Sequence, residues 1–164
     1  MKMKQSFLSI NNLAKFSSFF QLVGVIGVIA SLIFVGLELK QTQKISMANT
    51  QQERNSALYN IFNTLTLTNT DWQSVAFENK TEYEFTKDEI ARRNLYHISW
   101  FVYENDYFQY KQGLVTEEVW MAKKKAFEAF YNMCDLRHLY VSRSKYMPAD
   151  FVELIESFPD RCLQ

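Results

Sequence analysis

The sequence predicts an all-α protein: an N-terminal transmembrane helix that continues into a stalk helix and a small helical bundle. Three observations predict it. There are only 4 Gly and 2 Pro in 164 residues, so long helices meet few breakers. No stretch alternates apolar and polar residues with period two long enough to build a sheet. Phe and Tyr are abundant, at 14 and 9, which supplies large side chains for a filled core and argues against disorder.

The chain is long enough for one domain plus an appendage. Its 18 basic and 18 acidic residues balance to zero, which gives no electrostatic reason to expect nucleic acid, whose binding needs a basic face to displace counterions. The expected organisation is a tail over 1–18, with Phe7, Leu8, Ile10, Leu13 and Phe16 suited to a short interfacial helix. A membrane helix follows over 19–38, then a stalk and bundle over 39–164.

From Phe16 to Leu37 no residue is charged. Roughly 22 residues at a rise of about 1.5 Å reach about 33 Å, enough for a hydrocarbon core. Lys15 and Glu38 bracket the run where charges meet head groups. The helix formers after Leu37 favour an uncleaved signal-anchor over a cleaved signal peptide. Lys2, Lys4 and Lys15 before the span nearly match Lys40, Lys44 and Arg54 after it, so the positive-inside rule leans only slightly to a cytoplasmic N-terminus. In a bacterium that lean puts the domain in the periplasm, from an inner-membrane anchor. Gly24, Gly27 and Ser31 share one helix face and form a small-residue pattern that lets membrane helices approach closely.

Beyond the span, Glu38 to about Thr68 reads as one helix. Its first half is polar all round, as in a stalk. Its second half places Leu58, Ile61, Phe62 and Leu65 at core spacing. A short helix is expected around Trp72, Val75 and Phe77. Thr86 and Glu89 form a capping box for a long helix that ends at Gly113. This second helix carries aromatic residues on every face, so it either sits centrally or presents a surface formed by Tyr96, Trp100, Tyr103, Glu104 and Tyr107. Thr116 caps a third helix, with Glu117 and Glu118 at its positive end. Pro148 suits the first position of a closing helix through Phe151, Ile155 and Phe158.

Three stretches carry a resemblance: GVIGVIASLIFVGLELKQ, ENDYFQYKQGLVTEEVW and MPADFVELIESF. The chain resembles a family of uncharacterised bacterial single-pass, membrane-anchored helical proteins. The family pattern falls here on Glu104, Tyr107, Gln109, Tyr110, Gly113, Leu114 and Trp120. Met147 stands where the family usually has a Ser cap before Pro148. The resemblance implies a membrane-anchored helical domain and brings no activity with it.

Candidate chemistry is sparse. Asp135 and His138, three apart on the expected third helix, face His97 and Glu104 on the second, an arrangement that helical di-iron sites use twice over. Only one such pair and two histidines exist, so surface and core roles come first. Glu104 interrupts an aromatic run and needs a partner if buried. Cys134 and Cys162 read as idle thiols, or as a bridge if the domain lies in an oxidising compartment. No nucleophile elbow, phosphate loop, zinc motif or dinucleotide fingerprint is present, and no cofactor is expected. The leading expectation is a membrane-anchored interaction module, self-associating or an accessory subunit of a membrane complex. A sensor for a small apolar ligand between the second and third helices is the alternative, and a metal-dependent enzyme the least favoured. The expected partners are the lipid bilayer and either a protein or a second copy.

Overall fold

A computed structural model describes residues 3–162, with side chains from Phe16 onward. Its elements are α1 (Met3–Leu67), α2 (Trp72–Ala76), α3 (Lys87–Lys111), α4 (Glu117–Tyr131), a 3-10 turn (Cys134–Leu136), α5 (Arg137–Ser144) and α6 (Ala149–Glu156). No strand occurs among the described residues. The chain divides into two compact units, Met1–Ser46 and Met47–Gln164. The boundary falls beyond the end of the apolar run, so the first residues of the expected stalk belong to the first unit.

The first unit is the leading part of α1. Its backbone is helical from Met3 onward; the apolar face expected of Phe7, Leu8, Ile10 and Leu13 lies outside the described side chains. Every side chain from Phe16 to Gln43 is exposed. The most apolar 18-residue window of α1 has a mean hydropathy of 2.5, and none of it is buried. One helix is therefore long and apolar enough to cross a membrane. A Cβ added at Gly24 or Gly27 would meet nothing within 4 Å, so that face is open.

The second unit is a bundle built around α3. Its capping box forms as the sequence predicts. Thr86 Oγ1 accepts from the Glu89 amide at 3.3 Å, and Glu89 Oε2 accepts from the Thr86 amide at 2.7 Å. At the other end Gly113 adopts φ +71°. Its amide donates to Tyr110 O at 2.8 Å and the Leu114 amide donates to Gln109 O at 3.0 Å. These two bonds satisfy carbonyls that the end of α3 would otherwise leave unpaired.

Aromatic rings fill the space between α3, α4, α5 and α6. Trp100, Phe127, Leu139, Phe151 and Ile155 are fully buried. Trp100 lies 5.0 Å from Tyr140 between ring centroids, Tyr103 lies 4.7 Å from Phe127, and Tyr110 stacks on Trp120 at 4.1 Å. Aromatic pairs at such spacings add about 0.5–1.5 kcal/mol each beyond area burial. The all-round aromatic character of α3 thus reflects its central position.

The expected third helix is interrupted. α4 stops at Tyr131, where the Asn132 side chain takes over local bonding. Its Nδ2 donates to Glu128 O at 3.0 Å and Pro159 O at 3.1 Å, and its Oδ1 accepts from the Arg161 amide at 2.8 Å. Cys134 then joins Cys162 in a disulfide. Bonds from Arg137 Nη1 to Asp160 at 2.7 Å and Nη2 at 3.2 Å hold the same C-terminal segment. Pro148 sits one position outside α6, as its cap, without a side-chain capping bond.

Candidate interaction surface

The residues of the expected aromatic surface lie mostly inward. Tyr96 and Trp100 belong to the buried core, and Tyr103 and Tyr107 pack against it. These four aromatic residues pack beneath α4 and α6, whereas Glu104 lines a separate cavity with Leu58 and Phe101. Tyr96 Oη donates to Phe130 O at 3.2 Å, and burial pushes its pKa up to about 12. Tyr107 Oη donates to Asp150 Oδ2 at 2.7 Å, fastening α3 to the start of α6. The aromatic residues between α3 and α4 occupy the space where a small apolar ligand was expected.

Glu104 forms an ion pair with Arg143 of α5. Burial raises the Glu104 carboxyl's pKa against the pull of that cation. The Arg143 guanidinium also lies 3.4 Å from the centroid of the Phe101 ring, so the pair is sheltered by an aromatic face. This is the partner that a carboxylate in an aromatic run requires.

The four weak metal candidates have other engagements. His97 is fully buried and stacks against Phe62 and Phe77, with ring centroids 6.4 and 5.9 Å away. Neither ring nitrogen has a hydrogen-bond partner among protein groups. Burial, followed by the nearby Arg143 charge, pushes its pKa down to about 3, so it is neutral. Asp135 is exposed and pairs with Arg92. His138 lies on α5 and its Nε2 meets Arg93 Nη1 at 3.2 Å. Asp135 and His138 do not share the expected helix, since Asp135 is in the 3-10 turn. Among the described residues, no three His, Cys, Asp or Glu side chains gather where they could hold a metal ion.

A buried polar knot that motif reading missed ties α2 to α3. Asp71 caps α2, accepting from the Ser74 amide at 2.8 Å and from Ser74 Oγ at 2.7 Å. The same carboxylate accepts from Arg93 Nε at 2.8 Å and Nη2 at 3.1 Å. Burial would raise its pKa, but the bonds from Arg93 and Ser74 outweigh burial and hold it below the usual value. Asn94 completes the knot: its Oδ1 accepts from the Trp72 amide at 3.0 Å and its Nδ2 donates to Thr70 O at 2.9 Å. Every strong acceptor is matched, which fits a structural role better than a reactive one.

The open surface lies along α1 beyond Met47. Phe62 anchors this part of the helix against Trp72, His97 and Phe101. Beside it runs a groove of about 230 Å³. Tyr59, Asn63 and Thr66 form one wall, Ala91, Leu95 and Ile98 the other, and Phe62 and Asn94 complete the lining. The wall positions repeat every three or four residues on both helices, the geometry that receives a helix. Tyr59 is 61% exposed, Leu95 58% and Leu67 75%.

No family model, curated protein or solved structure matches the chain.

The sequence carried a signal for this surface that periodicity obscured. Core spacing marks Leu58, Phe62 and Leu65 as inward, yet it also took in Ile61, which is 48% exposed. From Asn55 to Thr70 there is no charged residue at all. An exposed helix in water ordinarily carries charges on its outer face, so a charge-free exposed stretch marks a surface built for contact.

Proposed function

We propose that the chain is a single-pass, membrane-anchored interaction module, either self-associating or an accessory subunit of a membrane complex. The observation that carries this reading is the groove of α1 and α3 with its exposed, uncharged rim. It is an uncharged, partly apolar concavity on the surface of the domain. The apolar run of α1 supplies the anchor, and the resemblance to bacterial anchored proteins favours a bacterial inner membrane.

The Cys134–Cys162 disulfide supports one of the two topologies. Disulfides persist where the compartment is oxidising, so the domain belongs on the periplasmic side and the N-terminus in the cytoplasm. The slight lean of the positive-inside rule is in the same direction.

The test is extraction of the tagged full chain from carbonate-washed membranes in mild detergent, followed by mass spectrometry of whatever co-purifies. Retention in washed membranes with a reproducible companion, or with a differently tagged second copy, supports the reading. Release by carbonate removes the anchor from it. Retention without any companion removes the interaction role.

A further inference from the structure

We propose that the cavity between α1 and α3, beside Pro148, binds a free α-amino acid with an apolar side chain. The proposal goes beyond the anchored interaction reading and does not depend on it.

The cavity has a volume of about 300 Å³, at the small end of the range for ligand sites. Leu58 of α1, Phe101 and Phe108 of α3, and Pro148 give it apolar walls. Two bonds tie together the helices that form it. Asn55 Nδ2 donates to Phe101 O at 3.3 Å, and Asn105 Nδ2 donates to Gln52 Oε1 at 3.1 Å. The walls are thus in place before a ligand enters, which lowers the ordering cost of binding. A preformed apolar pocket with a few polar groups and a perturbed carboxylate is the usual form of a small-molecule site.

Charge selects the ligand. Glu104 of α3 and Arg54 of α1 are the charged members of the lining. Glu104 keeps 21% of its side chain exposed, whereas its partner Arg143 keeps 6% and does not line the cavity. The wall therefore shows the acidic member of the pair. Burial raises the Glu104 carboxyl's pKa despite Arg143, so a second cation beside it stabilises the charged form. An ammonium group supplies that cation and donates hydrogen bonds. Arg54 is exposed, and its guanidinium fork suits a carboxylate. An uncharged apolar ligand would strip water from Glu104 and give nothing back. An amine alone leaves Arg54 unused, and a carboxylate alone meets the like charge of Glu104. A zwitterion with an apolar body answers both charges and the walls together.

The experiment titrates L-leucine and L-phenylalanine into the purified full chain in mild detergent, read by calorimetry and by melting temperature. Saturable binding at up to millimolar concentration is expected, with the rise in melting temperature that mass action requires. Three analogues each lack one feature. 4-Methylpentanoate has no ammonium, 3-methylbutylamine has no carboxylate, and phosphoethanolamine has both charges but no apolar body. Each should bind at least about tenfold more weakly than L-leucine. Arg54→Gln, a change at an exposed site, should weaken L-leucine by a similar factor and leave 3-methylbutylamine unaffected. Leu58→Trp, which fills the cavity and spares the Glu104–Arg143 pair, should abolish binding. No saturation with either amino acid overturns the site. Binding that survives Leu58→Trp overturns its location, and an analogue that matches L-leucine overturns the ligand class.

Discussion

Arg93 Nε donates to Asp71 Oδ1 at 2.8 Å across a gap of 22 residues, with side chains 9% and 0% exposed. The bond joins the cap of α2 to the second turn of α3 in an interior where neither charge is left alone. Removing one member should be severe, because the other stays buried without compensation. Arg93→Ala is expected to lower unfolding free energy by about 3–5 kcal/mol. Adding Asp71→Leu should recover part of that loss, since an apolar pair removes the stranded carboxylate. Urea denaturation of the two variants and the parent measures both effects.

His97 makes stability depend on pH. Folded, its pKa is about 3; unfolded, it returns to about 6.5. Between those values the unfolded chain binds the proton and the folded chain does not, so stability falls as pH falls. At pH 4.5 the loss is about 2–3 kcal/mol relative to neutral pH. The charged and titratable groups acting on the ring are Arg143, Asp71, Arg93 and His138. His97→Leu should flatten the stability profile between pH 6.5 and pH 4.5, and parallel denaturation curves across that range show whether it does.

The disulfide closes a loop with a sequence separation of 28. Chain entropy alone gives it about 3–4 kcal/mol. Cys134→Ser with Cys162→Ser should lower stability by that order while the Arg137–Asp160 pair keeps the C-terminal segment in place. Thiol titration of the denatured, unreduced parent should find no free thiol.

Gly113 occupies the left-handed region at φ +71°, with open space where a Cβ would go. Gly113→Ala should therefore cost about 1–2 kcal/mol through backbone strain alone. Gly113→Asn should cost less, because Asn tolerates that conformation. Thermal denaturation separates the two.

Features legible in the sequence were those written locally. The Thr86–Glu89 capping box, the stop at Gly113 and the continuous helix through the apolar run depend on residues within a turn or two of one another. The partnership of Asp71 with Arg93 depends on how α2 lands against α3, which no spacing rule specifies. The same holds for Cys134 and Cys162, two scattered thiols until Asn132 ends α4 and folds the C-terminal segment back. That break also separates Asp135 from His138, which spacing alone had placed on one helix face. Tyr96 and Trp100 resembled a surface because α3 is aromatic all round. Their burial follows from helices packing on several sides of α3, a property of the bundle and not of the helix.

The most direct test of an anchored interaction module is the mass of the full chain, extracted from membranes in mild detergent and measured by light scattering with the detergent contribution subtracted. A protein mass of at least two chains, or of one chain plus a defined companion, is the expected result. A single species of 19.4 kDa, stable on dilution and free of companions, would contradict it.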